Sequence, residues 1–225
     1  MHHLLDSIDL ILFDLDGTLV DSAPDLGGAL AEAMSERGYP APKLEAVRDW
    51  VGNGSYVLVE RALNAARDQG LISPFNEATV DSVHQRFLHH YGQRLCRNTD
   101  VYPGVRESLA AFKQSGRRLA VVTNKPALFI TPILEGLQLG GLFDLLVGGD
   151  TLAVKKPDPG PLEYAMDVFS VPPERTLMVG DSINDIRAAQ AAGCQSVALT
   201  YGYNHGQPID EAGATLVIES LAQLV

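Results

Sequence analysis

Asp14 and Asp16 are the side chains of this sequence whose types and spacing point most directly to chemistry. They follow the apolar run Leu10–Phe13, which predicts a buried strand. Carboxylates this close at the end of a buried strand repel each other and lose hydration, a cost that Mg²⁺ removes because it prefers oxygen ligands. Gly17 and Thr18 predict a tight turn whose backbone N–H groups form a small anion-binding site. A carboxylate nucleophile, a cation and an anion site together indicate phosphate chemistry.

Three further polar motifs follow predicted strands. Thr123 and Asn124 come directly after an apolar run, and both side chains can donate to phosphate oxygens. Lys156 precedes a stiff Pro-x-Pro loop and can neutralise charge on a transferring phosphoryl group. Asp181 and Asp185 lie about one helical turn apart, so both can face one metal ion. Structural alternatives remain open, since these residues can cap helices and Asp185 can orient Lys156.

The two carboxylates of the first motif can share the work of a phosphoryl transfer. Asp14 is the candidate nucleophile, which attacks phosphorus and forms an aspartyl-phosphate. Asp16 is the candidate acid and base, which protonates the leaving alcohol and then activates the water that hydrolyses the acyl phosphate. Thr123 and Lys156 complete the predicted catalytic set. The predicted Mg²⁺ site comprises Asp14, Asp16, Asp181 and Asp185, of which Asp185 contacts the metal either directly or through water.

Hydrophobic periodicity predicts how these residues are positioned. From about residue 101 onwards, short apolar runs alternate with helical patterns, which is typical of a parallel sheet covered on both faces. Between the first strand and this region we find helical patterns and no convincing strand. We therefore expect an α/β fold, a doubly wound (Rossmann-like) parallel sheet, with residues 1–20 and 100–225 as the core domain and 21–99 as an inserted α-helical cap. Ligands of such sheets bind at the carboxyl ends of the strands, so the four motifs should meet in one crevice.

Composition excludes several classes of protein. The 225 residues carry a formal net charge of −11, which argues against nucleic acid or an anionic membrane as a partner. No apolar stretch approaches the roughly 20 residues that span a bilayer. Cys96 and Cys194 show no metal-binding or disulfide spacing, and we expect free thiols in a cytoplasmic protein. Monomer and homodimer both remain possible.

The four motifs resemble, in order, those of the haloacid dehalogenase superfamily. The matching segments are Asp14-Leu15-Asp16-Gly17-Thr18-Leu19-Val20, Thr123, Lys156 and Gly180-Asp181-Ser182-x-x-Asp185. The resemblance covers essentially the whole chain and implies a central position in the sheet for the strand before Asp14. It also implies that the backbone carbonyl of Asp16 is a metal ligand. Within the superfamily the chain is similar to bacterial phosphatases that act on 2-phosphoglycolate, through segments such as Asp21–Leu26, Trp50–Gly54 and Tyr201–Tyr203.

A glycine-rich segment of the predicted cap is the candidate binding site for the rest of the substrate. Gly52 and Gly54 let backbone N–H groups approach a small ligand, and Asn53 adds a donor and an acceptor. Arg61, one helix further, is a candidate partner for a substrate carboxylate.

Several functions remain open beside a Mg²⁺-dependent phosphatase for 2-phosphoglycolate. The same residues suit a phosphatase for a sugar phosphate or pyrophosphate, and a sugar phosphomutase also uses Asp14 and Asp16. A halide-displacing hydrolase is disfavoured because such relatives lack Asp16. A non-catalytic binding protein on the same fold is a further alternative.

Overall fold

A six-stranded parallel sheet forms the centre of the fold in the computed structural model, which describes residues 1–225. The strands of the chain are β1 (Leu10–Phe13), β2 (Val20–Asp21), β3 (Asp100–Val101), β4 (Arg118–Val122), β5 (Leu145–Val147), β6 (Thr176–Gly180), β7 (Gln195–Leu199) and β8 (Leu216–Ile218). The order in the sheet is β5-β4-β1-β6-β7-β8, and every neighbouring pair is parallel. The strand before Asp14 therefore lies centrally, as the resemblance implied.

Helices cover both faces of this sheet. They are α5 (Val105–Gln114), α6 (Ile130–Gly136), α7 (Gly160–Phe169) and α8 (Ile183–Ala192). Successive strand residues point to opposite faces: Ile11 and Phe13 pack in one apolar cluster with α5 and α6. Leu10 and Leu12 pack in another cluster with α7 and α8. Burial on both faces explains why β1 is apolar at every position, and the predicted doubly wound α/β fold is confirmed.

Four further helices build a separate apolar cluster above the sheet. They are α1 (Ala23–Ser35), α2 (Leu44–Trp50), α3 (Ser55–Asp68) and α4 (Glu77–Gly92). Their core includes Leu30, Leu63 and Phe87, and it also takes in Phe129 and Tyr203 from the α/β part. The helical content of this segment agrees with the expected cap, and the division at residues 20/21 and 99/100 stays a prediction. No helix of the chain combines the length and apolarity needed to cross a bilayer.

A small antiparallel pair, β2 with β3, lies where the chain leaves the α/β part for the helices and returns. Val20 pairs with Val101, and Asp21 pairs with Asp100. Sequence periodicity cannot detect strands of two residues, so this pair was not predicted. It brings the two connecting segments side by side.

Candidate active site

Three buried carboxylates meet at the carboxyl ends of the central strands. Asp14 follows β1, Asp181 follows β6, and Asp185 lies in the first turn of α8. One carboxylate oxygen from each lies within 4.8 Å of the others. A tight, all-oxygen donor set of this kind suits a hard divalent cation such as Mg²⁺, so the residues present fit the predicted metal.

Burial shifts the proton equilibria of this cluster. It raises the pKa of Asp14 to about 6, with Lys156 opposing the shift and Asp185 and Asp16 adding to it. Burial also raises the pKa of Asp181 well above its usual range, and the charges of Asp14 and Asp185 act in the same direction. The three carboxylates thus carry more negative charge than the nearby Lys156 balances, and a bound cation would supply the rest.

The side chain of Lys156 places an ammonium group in the cluster. Its Nζ lies 2.6 Å from Asp185 Oδ1 and 3.2 Å from Asp14 Oδ1, and it donates to the carbonyl of Val122. The side chain is 1% exposed. Its neighbour Lys155 instead donates to the Asn53 carbonyl at the surface, so Lys156 is the lysine placed beside the candidate nucleophile.

Asp185 combines two structural tasks. Oδ1 accepts from Lys156, and Oδ2 accepts from the backbone N–H and the hydroxyl of Ser182 at 3.0 and 2.9 Å. Ser182 is the N-cap of α8 and forms a capping box with Asp185. Asp185 therefore both caps α8 and orients Lys156.

Glycines allow the carboxylates to approach the backbone. A Cβ atom on Gly17 would lie 2.3 Å from Asp181 Oδ2, and one on Gly202 would lie 2.2 Å from Asp181 Cβ. A Cβ atom on Gly180 would lie 2.3 Å from Asp185 Cγ. Gly17 also has a φ of +88°, which disfavours a side chain.

The anion site that was expected at the backbone N–H groups of Gly17 and Thr18 differs from what the structure shows. The N–H of Gly17 donates to the Val20 carbonyl at 2.9 Å, and that of Thr18 to the Leu15 carbonyl at 3.4 Å. The turn closes on itself and therefore uses the donors expected to bind phosphate. Thr18 serves the cluster differently, since its hydroxyl donates to Asp181 Oδ1 at 2.5 Å.

The side chain of Asp16 lies outside the cluster, which corrects the idea that both carboxylates of the first motif face one cation. Its oxygens accept from Lys125 Nζ at 2.9 and 3.0 Å, and Ser22 donates to Oδ1 at 2.6 Å. Lys125 is buried and charged: burial lowers its pKa, but Asp16 and Tyr91 outweigh that effect. The backbone carbonyl of Asp16 stays a predicted metal ligand.

Thr123 and Asn124 both lie at the site, but only the Thr123 side chain acts on Asp14. The Thr123 hydroxyl lies beside Asp14 and favours its charged form. Both donors of the Asn124 amide are already used, by the carbonyls of Gly52 at 2.9 Å and Lys156 at 2.8 Å. The expected donation from the Asn124 side chain to phosphate is therefore corrected, and Asn124 instead joins the helical part to the Lys156 loop.

The glycine-rich segment of the helical part does face the site. Gly52 and Gly54 line a cavity of about 40 Å³ together with Asp14, Asp16 and Thr123. Asn53 does not line it, because its Oδ1 accepts from Arg61 at 2.8 Å. Arg61 also donates to the Trp50 carbonyl, so its guanidinium braces the loop rather than entering the cavity, contrary to expectation.

Comparison with known proteins places this geometry in a family. The family model described as haloacid dehalogenase-like hydrolase matches residues 11–199. The chain belongs to this family. This haloacid dehalogenase-like hydrolase is 46% identical to the phosphoglycolate phosphatase of Colwellia psychrerythraea, over 98% of this chain and 97% of the relative. It is also 46% identical to the phosphoglycolate phosphatase of Pseudomonas putida, over 96% of this chain and 78% of the relative.

A solved structure shows the same fold. The crystal structure of a predicted phosphoglycolate phosphatase from Haemophilus somnus superimposes on this haloacid dehalogenase-like hydrolase with a TM-score of 0.93. The two chains are 40% identical, and the match covers 97% of each. The resemblance, the fold class and the prediction of a hydrolase are confirmed, whereas the roles of individual residues stay predictions.

Sequence reasoning missed three residues of this haloacid dehalogenase-like hydrolase that touch the site. The Tyr203 N–H donates to Asp181 Oδ2 at 2.6 Å, Lys125 holds Asp16, and the Lys125 ammonium lies 4.6 Å from the centre of the Tyr91 ring. Lys125 follows Thr123 and Asn124 in the chain, so its position was a usable signal. Tyr91 occupies an ordinary apolar position of a helix, and nothing in the sequence distinguishes it.

Proposed function

We propose that the protein is a Mg²⁺-dependent phosphomonoesterase that hydrolyses 2-phosphoglycolate to glycolate and phosphate through an aspartyl-phosphate on Asp14. The observation that carries this proposal is the placement of Asp14 3.2 Å from Lys156 and within 4.8 Å of Asp181 and Asp185. The phosphoglycolate phosphatases to which the chain is 46% identical support the substrate. The two free cysteines agree with a cytoplasmic enzyme.

The first chemical step would transfer the phosphoryl group to Asp14. An Asp14 oxygen forms a bond to phosphorus while the bond to the bridging oxygen breaks. Asp16, which must first leave its ion pair with Lys125 and take up a proton from water, gives that proton to the bridging oxygen. Lys156 and the Thr123 hydroxyl lie beside Asp14, where they stabilise negative charge on the transferring group. Asp14, Asp181 and the Asp16 carbonyl, with Asp185 adjacent, would hold Mg²⁺, which would supply further positive charge at the same place.

The second step would return Asp14 to its starting state. Asp16, now ionised, takes a proton from a water molecule, whose oxygen bonds to phosphorus as the bond to Asp14 breaks. Asp16 must turn from Lys125 and Ser22 to do so. The helical part shields the acyl phosphate from other water, and we infer that it opens about residues 20–24 and 98–103, where β2 and β3 lie.

The cavity disfavours the alternative substrates. Besides polar residues such as Asp14, Asp16 and Lys125, its lining includes the apolar side chains of Leu26, Leu58 and Phe87. Each hydroxyl group of a sugar that was buried against these apolar side chains without a partner would cost about 1–3 kcal/mol. A short leaving group with one further charge fits better.

Phosphate release from a panel of small esters tests the proposal, with Mg²⁺ and with chelator. The panel contains 2-phosphoglycolate, a sugar phosphate, pyrophosphate and a bisphosphorylated sugar whose isomerisation reports mutase activity. We expect a preference for 2-phosphoglycolate of about a hundredfold in kcat/KM, or about 2.7 kcal/mol, and no activity in chelator. A flat profile or a preferred sugar phosphate would contradict the substrate, and full activity in chelator would contradict the metal.

A further inference from the structure

The cavity beside Asp14 contains a cationic side chain that has no role in the proposed phosphoryl transfer to Asp14. Among the residues that line it, Lys125 is the only lysine or arginine. The carboxylates of Asp14 and Asp16 line the same cavity, so a second anion on the substrate would be repelled unless it met a cation there. Arg61 and Lys155 are held by the glycine-rich loop, which leaves Lys125 for this task.

The position of Lys125 next to the candidate acid fixes what it can reach. Its Nζ lies 2.9 and 3.0 Å from the two oxygens of Asp16. Asp16 must contact the bridging oxygen of the ester to protonate it. In 2-phosphoglycolate the carboxylate carbon is only two covalent bonds from that oxygen, so a group that touches Asp16 is also within reach of the carboxylate.

Tyr91 supplies a second, independent observation. It lines the same cavity, the residue is 1% exposed, and its hydroxyl makes no hydrogen bond of good geometry within the chain, with the Lys125 ammonium as its polar neighbour. A buried donor without a partner costs about 1–3 kcal/mol, which a ligand oxygen would recover. The Tyr91 ring packs under the Lys125 ammonium at 4.6 Å, so the two donors lie together.

We propose that Lys125 and Tyr91 form the subsite for the carboxylate of the leaving group, and that this subsite makes the enzyme specific for phosphate esters that carry a carboxylate. The inference deepens the proposed function and rests on it. Lys125 is a specificity-determining residue in this scheme, and Asp14 and Asp16 keep their chemical roles.

Binding at this subsite would also release Asp16. The ammonium has three donors, of which Asp16 uses two, so a substrate carboxylate that accepts two hydrogen bonds from Lys125 displaces one oxygen of Asp16. Asp16 can then turn towards the bridging oxygen. An ester without a carboxylate leaves the Lys125–Asp16 ion pair in place. Such an ester therefore binds more weakly, and its bridging oxygen is protonated less readily.

The test compares 2-phosphoglycolate with its carboxamide, which has the same shape and no charge on the leaving group. The ratio of the two kcat/KM values is measured for the wild type and for Lys125→Met, Lys125→Arg, Tyr91→Phe and Lys155→Met. An effect of Lys125 on Asp16 that does not depend on the substrate carboxylate changes both substrates equally and cancels in this ratio. Thermal unfolding of each variant shows whether it is folded.

We expect a ratio of about a hundredfold in the wild type that falls to within about threefold of unity in Lys125→Met. Lys125→Arg should keep part of the ratio, Tyr91→Phe should lower it by about tenfold, and Lys155→Met should keep it. A ratio near unity in the wild type would overturn the proposed substrate. A high wild-type ratio that survives in Lys125→Met, or in Tyr91→Phe if the lysine variant does not fold, would overturn the subsite alone.

Discussion

At the scale of the residue, the site concentrates more negative charge than its own cation balances. Asp14, Asp181 and Asp185 are buried together with one ammonium, that of Lys156. Hydrogen bonds from Thr18, Ser182 and the Tyr203 N–H satisfy several oxygens without adding charge. The consequence is a raised pKa for Asp14 and Asp181, and therefore a stability that depends on pH and on metal.

Asp14→Asn should abolish turnover and stabilise the metal-free protein at pH 7. The pKa of Asp14 rises from 3.8 to about 6 on folding, so between these values the folded state keeps a proton that the unfolded state has lost. The free energy of unfolding therefore falls as pH rises through this window, by up to about 3 kcal/mol from Asp14. Denaturant unfolding in chelator at pH 4, 5, 6 and 7 measures the effect. A variant that is less stable than the wild type at pH 7 would contradict it.

Lys156→Met should be strongly destabilising. It removes the ammonium and leaves the carboxylates of Asp14 and Asp185 buried without their cation, which costs about 3–5 kcal/mol. Urea unfolding in chelator measures the loss, with Lys155→Met as the matched control because Lys155 is exposed and should change stability by less than about 0.5 kcal/mol. Equal losses of unfolding free energy in the two variants would show that the ion pairs of Lys156 do not contribute to stability.

Residues at strand ends were the predictable part of the site. Asp14, Thr123 and Asp181 each follow an apolar run, and parallel strands bring such positions to one edge. The hydrogen bonds that already occupy Gly17, Asn53 and Asn124 depend on partners far away in sequence, so their expected ligand contacts could not be checked before the structure was known.

At the scale of the element, α2 is tied to the connection between the two parts of the chain. Arg48 of α2 donates to both oxygens of Asp21 in β2, at 3.0 and 2.7 Å. Tyr203 donates to the same carboxylate, and its N–H bonds to Asp181. A change in the position of α2 is thus linked through Asp21 and Tyr203 to the acidic cluster.

Arg48→Met should weaken closure of the helical part with little effect on stability. The Arg48–Asp21 pair is partly exposed, so its loss should cost less than about 1 kcal/mol. We expect kcat/KM for 2-phosphoglycolate to fall about tenfold and hydrogen exchange in residues 44–50 to quicken. Arg67→Met is the control, since Arg67 pairs with its exposed neighbour Asp68 and lies over the ring of Phe75, and none of these residues lines the cavity. An unchanged kcat/KM in Arg48→Met would show that the Arg48–Asp21 contact does not contribute to closure of the helical part.

The helices were predictable from their helical period, and the central strands were predictable from short, continuous apolar runs. The strands β2 and β3 were not, since two residues define no period and their pairing joins positions about 80 residues apart. The connection between the two parts therefore became visible only in the structure.

At the scale of the whole molecule, one cation would join distant segments of the chain. Asp14, Asp181 and Asp185 come from β1, β6 and α8, so a metal bound among them stabilises the folded state as a ligand does. An acidic chain with a net charge of −11 also attracts cations weakly elsewhere, which a control must separate.

Mg²⁺ should raise the midpoint of thermal unfolding of the wild type. At a concentration of about a hundred times its dissociation constant the gain is about 2.7 kcal/mol. Asp181→Asn should lose most of this gain, whereas Asp167→Asn, which changes an exposed aspartate of α7, should keep it. Equal gains in all three proteins would indicate weak surface binding in place of a site.

Whether Asp14 carries the phosphoryl group is the most direct test of the account. The enzyme is mixed with 2-phosphoglycolate and Mg²⁺, quenched in acid within one turnover, digested and examined by mass spectrometry. The account predicts a phosphoryl group on the peptide that contains Asp14, and none in Asp14→Asn, which should also release no phosphate. Turnover by the wild type with no label on Asp14, or phosphate release by Asp14→Asn at the wild-type rate, would contradict it.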